Sequence, residues 1–161
     1  MANYTGADVI TTSDVLKYQP DAFDFGISTT ATETTNFLAQ TTNDILRQLR
    51  VEWWPVYKTN IFTDITVLNT AEMVNTKVNL DQFERAGVYL FLGRFYLPAL
   101  TKFRPETEKD RFERMQEYYM SQYNMEWRMI LEDGVEYDVD SSGTIVSNER
   151  EPLHGFRRLT R

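Results

Sequence analysis

Residues 80–103 read LDQFERAGVYLFLGRFYLPALTKF, and this stretch decides the fold class. Its middle, Ala86 to Leu100, is apolar on every side, which is typical of a central helix that is covered all round by protein. This apolar run is only about 15 residues long and contains Arg94 and Pro98, whereas a membrane span needs roughly 20 apolar residues. The sequence therefore predicts a buried helix over 80–103, capped by Asn79 and disturbed at Pro98, and no membrane anchor.

Helical patterns also lie on both sides of this stretch. Thr12 or Ser13 can cap a short helix that ends before Pro20, and a longer helix is predicted from Thr30 to Trp54, where Pro55 stops it. A third long helix is predicted from Pro105 to Gly134. Its apolar residues recur about four positions apart and mark a core or interface stripe: Phe112, Met115, Tyr119, Tyr123, Trp127 and Ile130.

Two segments do not follow the helical pattern. Between Tyr57 and Asn75 the sequence predicts a loop that holds a short strand at Ile65 to Leu68, because β-branched residues are frequent there. After Gly134, the run VEYDV, then DSSG, then TIV indicates a β-hairpin. The predicted fold class is thus mainly α: a small bundle of three long helices and a short N-terminal helix, with a C-terminal β-hairpin and an extended tail. The predicted domains are residues 1–134, which are helical, and residues 135–161, which hold the hairpin and the tail.

The stretch DVDSSGTIVSNE, residues 138–149, also matches the twelve-residue calcium loop of an EF-hand. The candidate metal ligands are Asp138, Asp140, Ser142, Thr144 and Glu149. However, no helix pattern follows Glu149, and EF-hands normally work in pairs. The alternative, which we favour, is a hairpin turn in which Gly143 has a positive φ and Asp138 or Asp140 accepts backbone hydrogen bonds.

The final residues, GFRRLTR, form the one concentrated basic element of an acidic chain. Arginine forks can bind carboxylates on a partner, and the apolar residues between them can serve as anchors. The candidate partner-binding residues are Phe156, Arg157, Arg158, Leu159 and Arg161. The alternative is a solvated tail without a fixed partner.

Composition disfavours several functions. The 24 acidic and 17 basic side chains give a net charge of -7, so general binding to nucleic acid is disfavoured. Absence of cysteine excludes disulfides and thiolate chemistry and fits a reducing cytoplasm. His154 has no second histidine with which to share a metal. The sequence contains no glycine-rich phosphate loop, GxSxG or HExxH motif, and it predicts a protein that is not an enzyme.

The order of these parts resembles the head-to-tail connector, or adaptor, proteins of tailed bacteriophages. The resemblance rests on a short N-terminal helix, a helix ending in Leu49-Arg50, an apolar central helix and a long aromatic helix. It is completed by a YDxDxxGxI hairpin, here Tyr137 to Ile145, and by an RRLxR ending, here Arg157 to Arg161. Only about the last 25 residues match letter by letter.

The resemblance implies a subunit of a ring, a dodecamer in this family, that lies in the virion neck below the portal protein. Its carboxy-terminal segment would dock on the portal, and its other end would receive the next neck or tail-completion protein. DNA would pass through the lumen without sequence-specific contacts, and an acidic lumen would suit this passage because like charges repel. The aromatic share of 14% is large for so small a core and favours burial between subunits. A calcium-binding regulatory or interaction module, built on residues 138–149, is the alternative function.

Overall fold

The computed structural model describes residues 8–25, 27–101, 106–145 and 149–151. The chain is mainly helical, as predicted. The α-helices are α1 (Thr12–Tyr18), α2 (Thr32–Glu52), α3 (Trp54–Ile61), α4 (Ile65–Thr70), α5 (Glu84–Leu90), α6 (Leu97–Thr101) and α7 (Glu106–Asp133). Two strands of two residues each, β1 (Val135–Glu136) and β2 (Arg150–Glu151), pair antiparallel.

The residues form two compact units. The first unit contains residues 8–44 and 83–127. The second contains residues 45–82 and, among the described residues, those from Arg128 onward. The predicted domain division at residue 134 stays a prediction.

The first unit has its core around the predicted central helix, which is buried but not continuous. It begins as a 3-10 turn over Leu80–Phe83, continues as α5, becomes a π-helix over Phe91–Tyr96, and ends as α6. The rings of Phe91 and Tyr96 stack with centroids 5.6 Å apart. Burial raises the pKa of Tyr96 to about 12. Phe103 lies outside the described residues, so the predicted C-terminal end of this helix stays a prediction.

The π-helix brings Gly93 against α7. A Cβ atom at Gly93 would lie 3.0 Å from both Cγ and Sδ of Met120, which is closer than most Cβ atoms pack against their neighbours. Glycine therefore permits the close approach of the two helices within this unit.

The predicted stripe on α7 faces the core for most of its length. Phe112, Tyr119, Tyr123 and Trp127 are buried, and the ring of Trp127 lies 5.8 Å from that of Phe83. The remaining two stripe residues, Met115 and Ile130, are half-buried. The helix ends at Asp133, and Gly134 follows with φ of 101°, a left-handed conformation that favours glycine at a helix end.

The second unit has an aromatic core. Trp53, Trp54, Tyr57 and Tyr137 are buried and all six pairs of their rings lie within 4.2 to 6.0 Å, centroid to centroid. The indole N–H of Trp54 donates to the carbonyl oxygen of Ala71 at 3.2 Å. This cluster fixes the start of the turn that follows Tyr137.

Three predictions in the second unit are corrected, and the first is the loop from Tyr57 to Asn75, which instead contains the end of α3 and all of α4. Pro55 does not end helical structure, because it lies in the first turn of α3, where its missing N–H is not needed. The predicted strand at Ile65 to Leu68 is wrong, since these residues begin α4. Asp64 caps α4 by accepting a hydrogen bond from the Thr66 N–H at 2.8 Å, which outweighs the β-propensity of the segment.

The C-terminal strand pairing also differs from the predicted hairpin. β1 pairs Val135 with Glu151 and Glu136 with Arg150, whereas Thr144 and Ile145 are not in a strand.

Among the described helices, none combines the length and the apolar character that a membrane crossing requires.

Candidate functional site

The acidic turn, residues Tyr137 to Gly143 with Glu149, is anchored in the second unit at its beginning. Tyr137 lies in the aromatic core, and its hydroxyl oxygen accepts a hydrogen bond from the Val74 N–H at 3.1 Å. The Asp138 N–H donates to the carbonyl oxygen of Lys77 at 2.8 Å. Burial raises the pKa of Tyr137. The turn therefore starts from residues that are buried and hydrogen-bonded to the second unit.

Three of the five predicted metal ligands converge in the structure. Asp138, Asp140 and Glu149 each offer one carboxylate oxygen, and these oxygens lie within 4.8 Å of one another. Asp138 and Glu149 are buried, with only 4% and 3% of their surface exposed, whereas Asp140 is exposed. Oxygen donors at this spacing can contact one hard cation such as Ca²⁺.

The same carboxylates already bind the backbone of the turn. Asp138 accepts from the Ser142 N–H through Oδ1 at 3.0 Å and from the Gly143 N–H through Oδ2 at 2.8 Å. Glu149 Oε1 accepts from the Val139 N–H at 2.8 Å. The predicted roles of Asp138 and Asp140 as backbone acceptors, and of Gly143 with φ of 74°, are confirmed.

Asp140 closes the outer side of the turn. Its Oδ1 accepts from the Ser142 N–H at 2.9 Å. Hydrogen bonding from Ser142 lowers the pKa of the Asp140 carboxyl, so the turn favours the ionised form.

The two remaining predicted ligands contact each other. The Ser142 hydroxyl donates to the carbonyl oxygen of Thr144 at 3.0 Å, and both residues are exposed. The ammonium group of Lys77 donates to the carbonyl oxygen of Val139 and so brings a positive charge to the turn. The arrangement can therefore stabilise its negative charges from within the protein, and it can also present carboxylate oxygens to a cation.

The predicted partner-binding residues of the tail lie outside the described residues. They are Phe156, Arg157, Arg158, Leu159 and Arg161. Their role in docking stays a prediction.

The structure reveals exposed apolar side chains that the sequence patterns did not assign. α4 contains no buried residue, and 72% of Ile65 and 43% of Val67 are exposed. On α7, Tyr118, Met125 and Met129 are exposed, although the predicted stripe on the same helix is mostly buried. The sequence does contain apolar residues outside the stripe that was predicted to be buried on α7. However, the pattern of one helix does not show which of its apolar residues other parts of the protein cover.

Comparisons of this chain with protein-family models, with curated proteins and with solved structures gave no match.

Proposed function

We propose that this chain is a structural subunit of the head-to-tail connector of a tailed bacteriophage, and that it works by assembly without catalysing a reaction. The subunit is a small helical bundle with a C-terminal hairpin and docking tail, and copies of it form a ring between the portal and the neck or tail. DNA passes through the lumen of this ring in the virion neck.

The observation that carries the proposal is the set of large apolar side chains that the described residues leave exposed. Ten such residues are exposed, and they include Ile65 on α4 and Tyr118 on α7. Scattered exposed apolar residues are ordinary, but a helix such as α4, which carries Ile65, Val67 and Leu68 and yet buries none of its residues, suits contact with another protein. A ring subunit needs two different faces of this kind, one for each neighbour.

The resemblance of the C-terminal motif to connector proteins supports the particular kind of assembly. Tyr137, Asp138 and Gly143 of this motif have structural roles in the acidic turn. In the proposed complex, Phe156 and Leu159 supply apolar anchors, and the arginines at 157, 158 and 161 bind carboxylates of the portal. The net charge of -7 suits a lumen through which DNA must slide.

Native mass spectrometry of the full chain, with and without the cognate portal ring, tests this proposal. We expect a ring-sized assembly, alone or on the portal, that does not depend on calcium. Deleting residues 155–161 abolishes portal docking, and a triple Arg→Lys variant at 157, 158 and 161 weakens it, because lysine keeps the charge but lacks the bidentate fork. A chain that stays monomeric and ignores the portal would contradict the proposal.

A second candidate function is a calcium-dependent interaction module, and the convergence of three carboxylates within 4.8 Å favours it. A cation there would contact Asp138, Asp140 and Glu149, and Ser142 and Thr144 could supply further oxygens.

Calcium titration followed by native mass separates this candidate from a turn that needs no ion. Under the calcium hypothesis, one ion binds per chain, a chelator removes it, and Asp140→Asn weakens binding while the fold is kept, because this side chain is exposed. Thr70→Ala, an exposed change on α4, is the matched control that leaves binding unchanged. A lack of saturable binding at millimolar calcium would leave the carboxylates with their structural role alone.

A further inference from the structure

The segment from Ile61 to Val74 presents an apolar surface that its own unit does not cover. Ile65 and Val67 are exposed, and Ile61, Phe62 and Leu68 are only half-buried. We call these five residues the α4 surface. Exposing apolar side chains to water is unfavourable in proportion to the exposed apolar area, so a complex that covers them is stabilised.

A second uncovered surface lies on α7 within the first unit. Tyr118 and Met125 are seven residues apart, and Arg111 and Arg114 precede Tyr118 by seven and four residues, so all four share one side of the helix. All four are exposed, and 57% of Tyr118 and 48% of Met125 are accessible. We call these four residues the α7 stripe; they are distinct from the mostly buried stripe predicted on the same helix.

The charged residues beside the α4 surface are complementary to those of the α7 stripe. The segment from residue 59 to residue 76 carries two acidic residues, Asp64 and Glu72, and no lysine or arginine. The α7 stripe carries two arginines and no acidic residue. Like surfaces would repel each other in a symmetric contact of α4 with α4, whereas a contact between the two different surfaces brings opposite charges together.

We infer that the α4 surface of one copy packs against the α7 stripe of the next copy. This inference rests on the proposed ring, and it names the contact between neighbouring subunits. Such a contact joins different faces and is therefore heterologous, the kind of contact from which cyclic rings are built. Tyr118 is the central anchor, since tyrosine offers a large apolar area with a polar end, and the arginines face Asp64 and Glu72 across the contact.

Crosslinking between single-cysteine variants tests this contact directly, because the chain has no cysteine of its own. Ile65→Cys and Met125→Cys are mixed, one of them with a size tag, and treated with a short bismaleimide. We expect a crosslinked heterodimer. The control pair uses Asn124→Cys, which is exposed on another side of α7, and we expect its crosslink with Ile65→Cys to be lost.

Variants without cysteine measure the strength of the same contact. We expect Ile65→Lys to raise the dissociation constant of self-association about tenfold or more, since it removes an apolar contact and brings a positive charge against the arginines of the α7 stripe. Arg114→Glu weakens association in the same way, and combining it with Glu72→Arg restores part of the loss because the charges are exchanged. Circular dichroism shows that each variant keeps its helices.

The outcomes separate this contact from the proposed connector function. A ring on the portal without the Ile65–Met125 crosslink overturns the contact and leaves the connector standing. A crosslink in a chain that ignores the portal supports the contact and contradicts the connector. A predominant crosslink of Ile65→Cys with itself, or no crosslink in any concentrated sample, overturns the contact.

Discussion

The acidic turn and the α4 surface belong to the same compact unit, but the key side chains of the turn are buried and hydrogen-bonded, whereas those of the α4 surface are exposed. In the turn, the carboxylates of Asp138 and Glu149 are buried and accept hydrogen bonds from the turn's own backbone. On the α4 surface, Ile65 and Val67 remain exposed to water. The segment that resembles a ligand site thus uses its polar groups for structure, while the segment without any motif leaves apolar side chains exposed.

The largest effect that would sharpen this contrast is expected at Asp138. Asp138→Ala leaves the Ser142 and Gly143 N–H groups without their acceptor, and we expect the free energy of unfolding to fall by about 3 kcal/mol. Urea denaturation measures this change. Asp138→Asn, which retains one side-chain oxygen, is expected to lose less. An unchanged urea midpoint for Asp138→Ala would mean that the turn does not depend on this carboxylate.

A smaller effect is expected at Gly143, whose φ of 74° is costly for residues with a side chain. Among the described residues, no atom other than those of Gly143 and its chain neighbours lies within 4 Å of an added Cβ, so Gly143→Ala should suffer backbone strain alone, about 1 to 2 kcal/mol. Gly143→Asn serves as the control, because asparagine adopts the left-handed region more readily and should lose less stability. Thermal unfolding of the two variants gives the comparison, and equal losses would argue against strain as the cause.

Tyr137→Phe is expected to cost about 1 kcal/mol near neutral pH, since the Val74 N–H loses its acceptor while the ring still packs in the aromatic core. Burial raises the pKa of Tyr137, so the neutral hydroxyl contributes stability that is fully present below a pH of about 10 and is lost as pH rises through the folded-state pKa. The free energy of unfolding, measured from neutral to alkaline pH, should therefore fall less steeply for the Phe variant than for the unmodified protein. If the free energy of unfolding fell equally with pH in both proteins, ionisation of Tyr137 would not be the cause of the pH dependence.

The smallest effect on stability is expected at Ile65. Ile65→Ser should change the free energy of unfolding of the monomer by no more than about 0.5 kcal/mol, because the side chain is 72% exposed. The same variant should weaken self-association, which sedimentation at several concentrations measures. Val78→Ser, a fully buried change in the same unit, is the contrasting control and should destabilise the fold strongly. A large loss of monomer stability in Ile65→Ser would mean that the α4 surface is part of the core.

The sequence allowed the long helices and the backbone contacts of the acidic turn to be predicted, because both depend on local patterns. Periodic apolar residues located α2 and α7, and the order of Asp138, Asp140 and Gly143 located the turn. The strand partner of β1 was missed, since pairing with Arg150–Glu151 is not encoded in any turn motif. Exposure of α4 could not be predicted either, because it depends on which other elements cover the segment.

The π-helix over Phe91–Tyr96 has a consequence for how this protein can change length during evolution. A π-helix accommodates an extra residue within an otherwise α-helical path, because its hydrogen bonds join residues five apart. Elsewhere in a buried helix, removing one residue would rotate every later side chain by about 100°. Deletion of a single residue within Phe91–Tyr96 can instead be absorbed by a return to α-helical bonding, so homologous sequences are expected to differ in length at this position first.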